Sequence, residues 1–158
     1  MQATMDLSLS GFKLLSRIFS FPRPILAACS GHGLALGTFL LCCGDYRVGV
    51  KGDFMIGANE MRTNMVIPIP ILELINHRVS SSHKYRAILG AEMYSIENGI
   101  GAGLIDEAVD AENLMETAML KAKDLATMGH PSYTLTKELL IREPLKKINN
   151  AISAIESD

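Results

Sequence analysis

The chain has 158 residues, 15 Lys+Arg against 17 Asp+Glu, and a formal charge of −2; 48% of it is hydrophobic and 20% charged. That is one domain's worth of sequence with ample apolar material for a core, which excludes intrinsic disorder, and without a run of like charges it offers no footprint for nucleic acid. Three cysteines, two of them adjacent (Cys42 and Cys43), make neither a disulfide framework nor a zinc-ligand spacing and fit a reducing, cytoplasmic setting.

Between Asp6 and Phe19 apolar residues recur at helical spacing with Ser8, Lys13 and Arg17 off that face, which predicts an amphipathic helix that Pro22 and Pro24 stop. Ile25 to Cys29 is a continuous apolar run, read as a strand covered on both faces. Gly31-His32-Gly33 then turns the chain into a helix from Leu34 to Cys43, closed by Gly44. Two short strands, Tyr46 to Val50 and Phe54 to Gly57, flank a Lys51-Gly52-Asp53 turn, and Ala58 to Asn64 is polar and irregular.

Val66-Ile67-Pro68-Ile69-Pro70 leads into a helix through Val79, Ser80-Ser81-Ser82 offers caps for one ending at Gly90, and Ser95 caps another stopping at Gly103. Leu104 to Val109 reads as a strand. Asp110 caps a longer helix, and two more helical stretches follow His130-Pro131, with a break at Pro144. Strands alternating with helices up to Val109 and helices thereafter place the chain in the α/β class.

From Pro24 to Gly44 there are 21 residues without a charge, enough to cross a bilayer, but the polar, turn-forming Cys29-Ser30-Gly31-His32-Gly33 in the middle argues for strand, turn and helix, with no membrane span. Gly31-x-Gly33-x-x-x-Gly37 between a strand and a helix has the look of a dinucleotide turn, with Asp53 where a ribose-binding acid belongs. A Rossmann unit, however, needs a crossover after its second strand where this sequence has a tight Lys-Gly-Asp turn, which leaves nucleotide binding as a third reading. The four histidines lack metal-ligand spacing, and no metal is expected.

The segment Pro24-Ile25-Leu26-Ala27-Ala28-Cys29-Ser30-Gly31-His32-Gly33-Leu34-Ala35-Leu36-Gly37, followed through Asp45 by Tyr46-Arg47-Val48, resembles the central signature of the crotonase superfamily, the enoyl-CoA hydratases and isomerases. Gly57-Ala58-Asn59-Glu60-Met61 with Val66-Ile67-Pro68 is similar to that family's next loop and helix entry. Ser95 to Val109 is similar to the end of its core, and Ser132 to Leu140 to its C-terminal helix. The resemblance implies a ββα-spiral core over residues 1–109, truncated at its N-terminus, and a helical C-terminal region over 110–158 used for oligomerisation, with a trimer or hexamer typical. It implies an acyl-CoA thioester as ligand and no further cofactor.

By position the backbone N–H of Leu36 is the oxyanion donor for a thioester enolate. His32, Gly33, Leu34, Gly37, Ile67 and Pro68 fall where substrate is held. The positions matching the two carboxylates of hydrating members are Phe39 and Asn59, neither of which can serve as a base. Glu60 is a candidate base, although one step along an extended segment turns it to the face opposite Asn59, toward solvent. The family's other oxyanion donor lies in an upstream segment this sequence does not contain. Two functions follow, an acyl-CoA-binding protein with hydratase- or isomerase-type chemistry and a non-catalytic, self-associating remnant of that fold.

Overall fold

Apolar periodicity places the first helix, and the computed structural model, which describes residues 2–157, runs α1 over Gln2–Phe19 with Leu15 and Phe19 fully buried. The uncharged stretch that follows is divided among three elements, β1 (Leu26–Cys29), β2 (Gly33–Leu34) and α2 (Leu36–Cys43). No described helix is long and apolar enough to cross a membrane. The helix begins at Leu36 rather than Leu34 because Gly33 and Leu34 pair with β4 (Met55–Gly57).

β3 (Tyr46–Val50) and β4 follow each other in sequence but belong to different sheets. The first sheet has the order β1-β3-β6, all parallel, with β6 over Glu107–Val109; the second has the order β2-β4-β5, with β5 over Tyr94–Ser95 antiparallel to β4. Asp53 is exposed in the link between the sheets, so the strand and crossover of a dinucleotide fold are absent there. β1 is an edge strand rather than one covered on both faces: only Cys29 is buried and Ala28 is exposed.

The remaining helices are α3 (Ile69–Arg78), α4 (Lys84–Ile88), α5 (Ile96–Ala102), α6 (Leu114–Ala126) and α7 (His130–Ser157), with single 3₁₀ turns at Glu60–Thr63 and Ala111–Asn113. Ser95 caps α5 as expected, accepting the Asn98 N–H at 3.1 Å. Gly103 ends that helix at φ 79, where a Cβ would stand 2.7 Å from the Arg78 carbonyl oxygen, so both conformation and space require glycine. α6 packs over β1 and β3, and α7 lies against α1 and α3.

Pro144 does not break α7. Its ring removes the helical partner of the Leu140 carbonyl, and Leu140 lies on the exposed side, while Ile141, Ile148 and Ile152 are buried. Their packing outweighs the roughly 3 kcal/mol a helix-interior proline costs.

Candidate active site

The geometry of the Gly-rich turn is set by Thr38. Its buried hydroxyl donates to the Gly33 carbonyl and accepts the Gly57 N–H at 2.8 Å, while the Ala35 N–H donates to the Gly57 carbonyl at 3.2 Å. One side chain thus fastens the first turn of α2 to the ends of β2 and β4. Sequence reading missed Thr38, because the bonds that define its role join segments some twenty residues apart; a buried hydroxyl in an apolar helix was the available sign.

Ala35, the residue before α2, stands at φ 47 and ψ −115, a backbone region that non-glycine residues rarely enter. No side chain caps α2, so its leading N–H groups, Leu36 first, are left for another acceptor at the positive end of the helix. Leu34 and Leu36 are both about half exposed and add apolar surface beside those donors. Gly37 has no heavy atom within 4 Å of a built Cβ, so the space over the turn is open there. At Gly33, by contrast, a Cβ would press on Ile56 at 3.1 Å and Leu41 at 3.3 Å, so this glycine serves strand packing.

His32 is exposed, and its Nδ1 accepts the Met55 N–H at 3.1 Å while the ring meets Phe54 edge-on with centroids 5.5 Å apart. With Nδ1 accepting, Nε2 is left as the ring's donor, directed away from the backbone contact. Ile67 is 8% exposed and belongs to the core, and Pro68 precedes α3 as its cap, so these two shape the fold at the site's margin.

Phe39 is 5% exposed, packed in the main core one turn into α2. Glu60 departs most from expectation: it is buried, not solvated, and its Oε2 has no hydrogen-bond partner among the described residues. The reason lies in the backbone. Asn59 sits at φ −104 and ψ 12 and opens a 3₁₀ turn, so the alternation of an extended segment does not apply and Glu60 turns inward while Asn59 stays partly exposed. A buried, unpartnered carboxylate oxygen is costly and calls for a polar partner. Glu60 follows Gly57 by three residues, and Gly57 is bonded directly to Ala35, so sheet register brings the turn that carries Glu60 and the open end of α2 to the same strand end.

Ion pairs of partly to fully buried cations tie α3, α7 and the segment before β6 to the start of β3. Asp45 accepts the Ile25 N–H at 2.8 Å and Lys137 Nζ at 2.6 Å and faces Arg78 at 3.6 Å; Arg47 holds Asp106 through Nε and Nη2 at 2.8 and 2.9 Å. Burial pushes the Cys42 thiol up to about 11, and Cys43 rises further, so both stay protonated and inert despite the nearby cations. Among the described residues no group of three or more His, Cys, Asp or Glu is placed to hold a metal.

The whole described chain has close structural counterparts. An enoyl-CoA hydratase/isomerase family protein from Pseudomonas syringae superimposes with a TM-score of 0.93 at 34% identity, covering 98% of this chain and 67% of that one. An enoyl-CoA hydratase from Mycobacterium marinum gives 0.93 at 33% identity, covering 100% and 70%. By sequence, a peroxisomal enoyl-CoA delta isomerase of Arabidopsis thaliana is 25% identical over 136 residues, 84% of this chain and 57% of that protein. This chain therefore spans a little over half of that relative and about two thirds of the two solved chains. With the family's sequence model matching residues 2–157, the chain belongs to the enoyl-CoA hydratase/isomerase family and carries a crotonase-type α/β fold.

Proposed function

We propose that this chain binds an acyl-CoA thioester at the open end of α2 and supports isomerase-type proton transfer rather than hydration. What supports the reading is the buried Glu60 side chain with an unpartnered oxygen, on the turn that follows the strand end bonded to Ala35, the neighbour of Leu36. One carboxylate suffices to move a proton between two carbons. Glu60 takes the proton from the carbon beside the thioester carbonyl, the charge moves onto the carbonyl oxygen facing the Leu36 N–H, and Glu60 returns the proton further along the chain as the double bond shifts. Adding water calls for a second group to manage its protons, and the helix position where that group would stand is the core residue Phe39.

The test has two arms. Addition of a CoA thioester is expected to shift the amide signals of residues 32–37, while NADP leaves them in place; shifts with NADP alone would favour the nucleotide reading, and silence with both the non-catalytic one. In the second arm, a 3-enoyl thioester is expected to convert slowly to its conjugated isomer, and Glu60→Gln to lose at least about 100-fold of that rate. An unchanged rate in Glu60→Gln removes the carboxylate from the mechanism.

A further inference from the structure

Ala35 meets two demands that its backbone satisfies only under strain. On its N-terminal side it continues the pairing of β2 with β4, its N–H donating to the Gly57 carbonyl at 3.2 Å; on its C-terminal side it opens α2, its carbonyl accepting the Phe39 N–H at 3.1 Å. The torsion between the two is the unfavourable one, φ 47 and ψ −115. A trans peptide unit is planar, with its C=O and N–H pointing in opposite directions, so the ψ of Ala35 sets the direction of the Leu36 N–H. The strained torsion and the aim of that donor are therefore one degree of freedom.

We propose that Thr38 is a positioning residue that locks this torsion and so aims the Leu36 N–H, an inference that rests on the acyl-CoA reading for what the donor faces but not for how it is held. Thr38 lies in the first turn of α2 and is fully buried. Its hydroxyl accepts the Gly57 N–H at 2.8 Å and donates to the Gly33 carbonyl, so the helix and both strands are tied at a single atom. Gly57 is then held through both of its backbone groups, the N–H by Thr38 and the C=O by Ala35. The chain of bonds from the Gly57 N–H through the Thr38 hydroxyl to the Gly33 carbonyl runs in one direction, and each bond polarises the next.

The lock explains why the strain persists. Ala35 can relax only if α2 turns against β2 and β4, and that turn breaks the chain of bonds and leaves a donor and an acceptor unpaired at two buried glycines. A hydroxyl whose work was only to join helix and strands would serve an unstrained joint equally well. Local preferences in a fold normally agree with one another, and a non-glycine residue kept off its preferred backbone immediately before the donor is the disagreement expected where a group has to be aimed.

The experiment compares the full chain with Thr38→Val, which keeps the shape and removes the hydroxyl, and Thr38→Ser, which keeps the hydroxyl. Without ligand, the residual dipolar coupling of the Leu36 N–H reports its direction. It is expected to fit the structure in the wild-type and Thr38→Ser chains and to depart from it in Thr38→Val, with circular dichroism unchanged. With ligand, the wild-type and Thr38→Ser chains are expected to bind butyryl-CoA about fivefold more tightly than S-butyl-CoA, the thioether that lacks the carbonyl, and Thr38→Val to lose that preference while keeping its affinity for the thioether. An unchanged N–H direction or an unchanged preference in Thr38→Val overturns the proposal, and so does an equal weakening of both ligands, which would mark a merely structural role. Binding of neither CoA compound by the wild-type chain removes the acyl-CoA reading, and the direction of the Leu36 N–H then decides the role of Thr38 by itself. If the Thr38→Val chain does not fold, the wild type decides: a strong intraresidue HN–Hα contact at Ala35, the mark of positive φ, and a slowly exchanging Thr38 hydroxyl proton are expected, and the absence of either overturns the proposal.

Discussion

Ala35 and His77 show how single residues hold unfavourable states in this fold. The φ of 47 at Ala35 stores backbone strain just where α2 presents its leading N–H groups. Ala35→Gly is expected to relieve more strain than it adds in unfolded-chain entropy, raising stability by about 1 kcal/mol, read as a higher denaturant midpoint at unchanged slope. His77 packs edge-on against fully buried Phe19, and burial, with the charges of Arg78 and Lys84 beside it, holds its imidazole below the usual histidine range. The unfolded chain takes up that proton near pH 6.5 and the folded chain only at lower pH, so His77 contributes full stability above about pH 7 and loses it as the pH falls toward the folded value. Thermal unfolding between pH 7.5 and 5 is expected to show this decline, and His77→Leu to flatten it.

Among the elements, α7 depends on a charge held far from water. Lys137 is 7% and Asp45 16% exposed at the side chain, and their contact joins α7 to the turn between α2 and β3. The two partners are not equivalent. Without Lys137, Asp45 keeps Arg78 and the Ile25 N–H; without Asp45, the Lys137 ammonium loses its partner inside the protein. Asp45→Ala is therefore expected to cost about 3 to 5 kcal/mol and Lys137→Met distinctly less, with the double substitution below their sum in a denaturant cycle. Sequence reading reached these elements unevenly. Local signals located α1, most strand spans and the caps at Gly44, Ser95 and Gly103, whereas neither Ser80–Ser82 nor Asp110 caps a helix with its side chain and β6 begins at Glu107 rather than Leu104. The continuity of α7 through Pro144, the two-residue strands β2 and β5, and the inward turn of Glu60 all depend on partners distant in sequence, which no local pattern encodes.

For the molecule as a whole, the family resemblance was legible from the Gly31-to-Gly37 turn and the Asp45-Tyr46-Arg47 segment, and the structure supplies reasons for those residues in Thr38's double hydrogen bond and in the ion pairs of Asp45 and Arg47. The site was less legible. Leu36 and Phe39 lie on a helix whose facing could be read in advance, but Glu60 followed a backbone change at Asn59 that composition did not announce. With Phe39 in the core, the purified chain is expected to show no measurable hydration of a crotonyl thioester in a coupled absorbance assay. Robust turnover there would mean that another group manages the water.

The helices α1 and α7, far apart in sequence, meet. Ser16 donates to Asn149 at 2.7 Å across 133 positions, Lys13 pairs with Glu156, and α7 lies along α1. During synthesis the apolar face of α1, with Leu15 and Phe19, leaves the ribosome well before α7, which supplies part of its cover. At roughly 5–20 residues per second that wait lasts about 7 to 27 seconds, long against helix formation and hydrophobic collapse. Vectorial synthesis therefore leaves the nascent chain open to chaperone capture or to premature contact with its neighbours on the same message until α7 emerges.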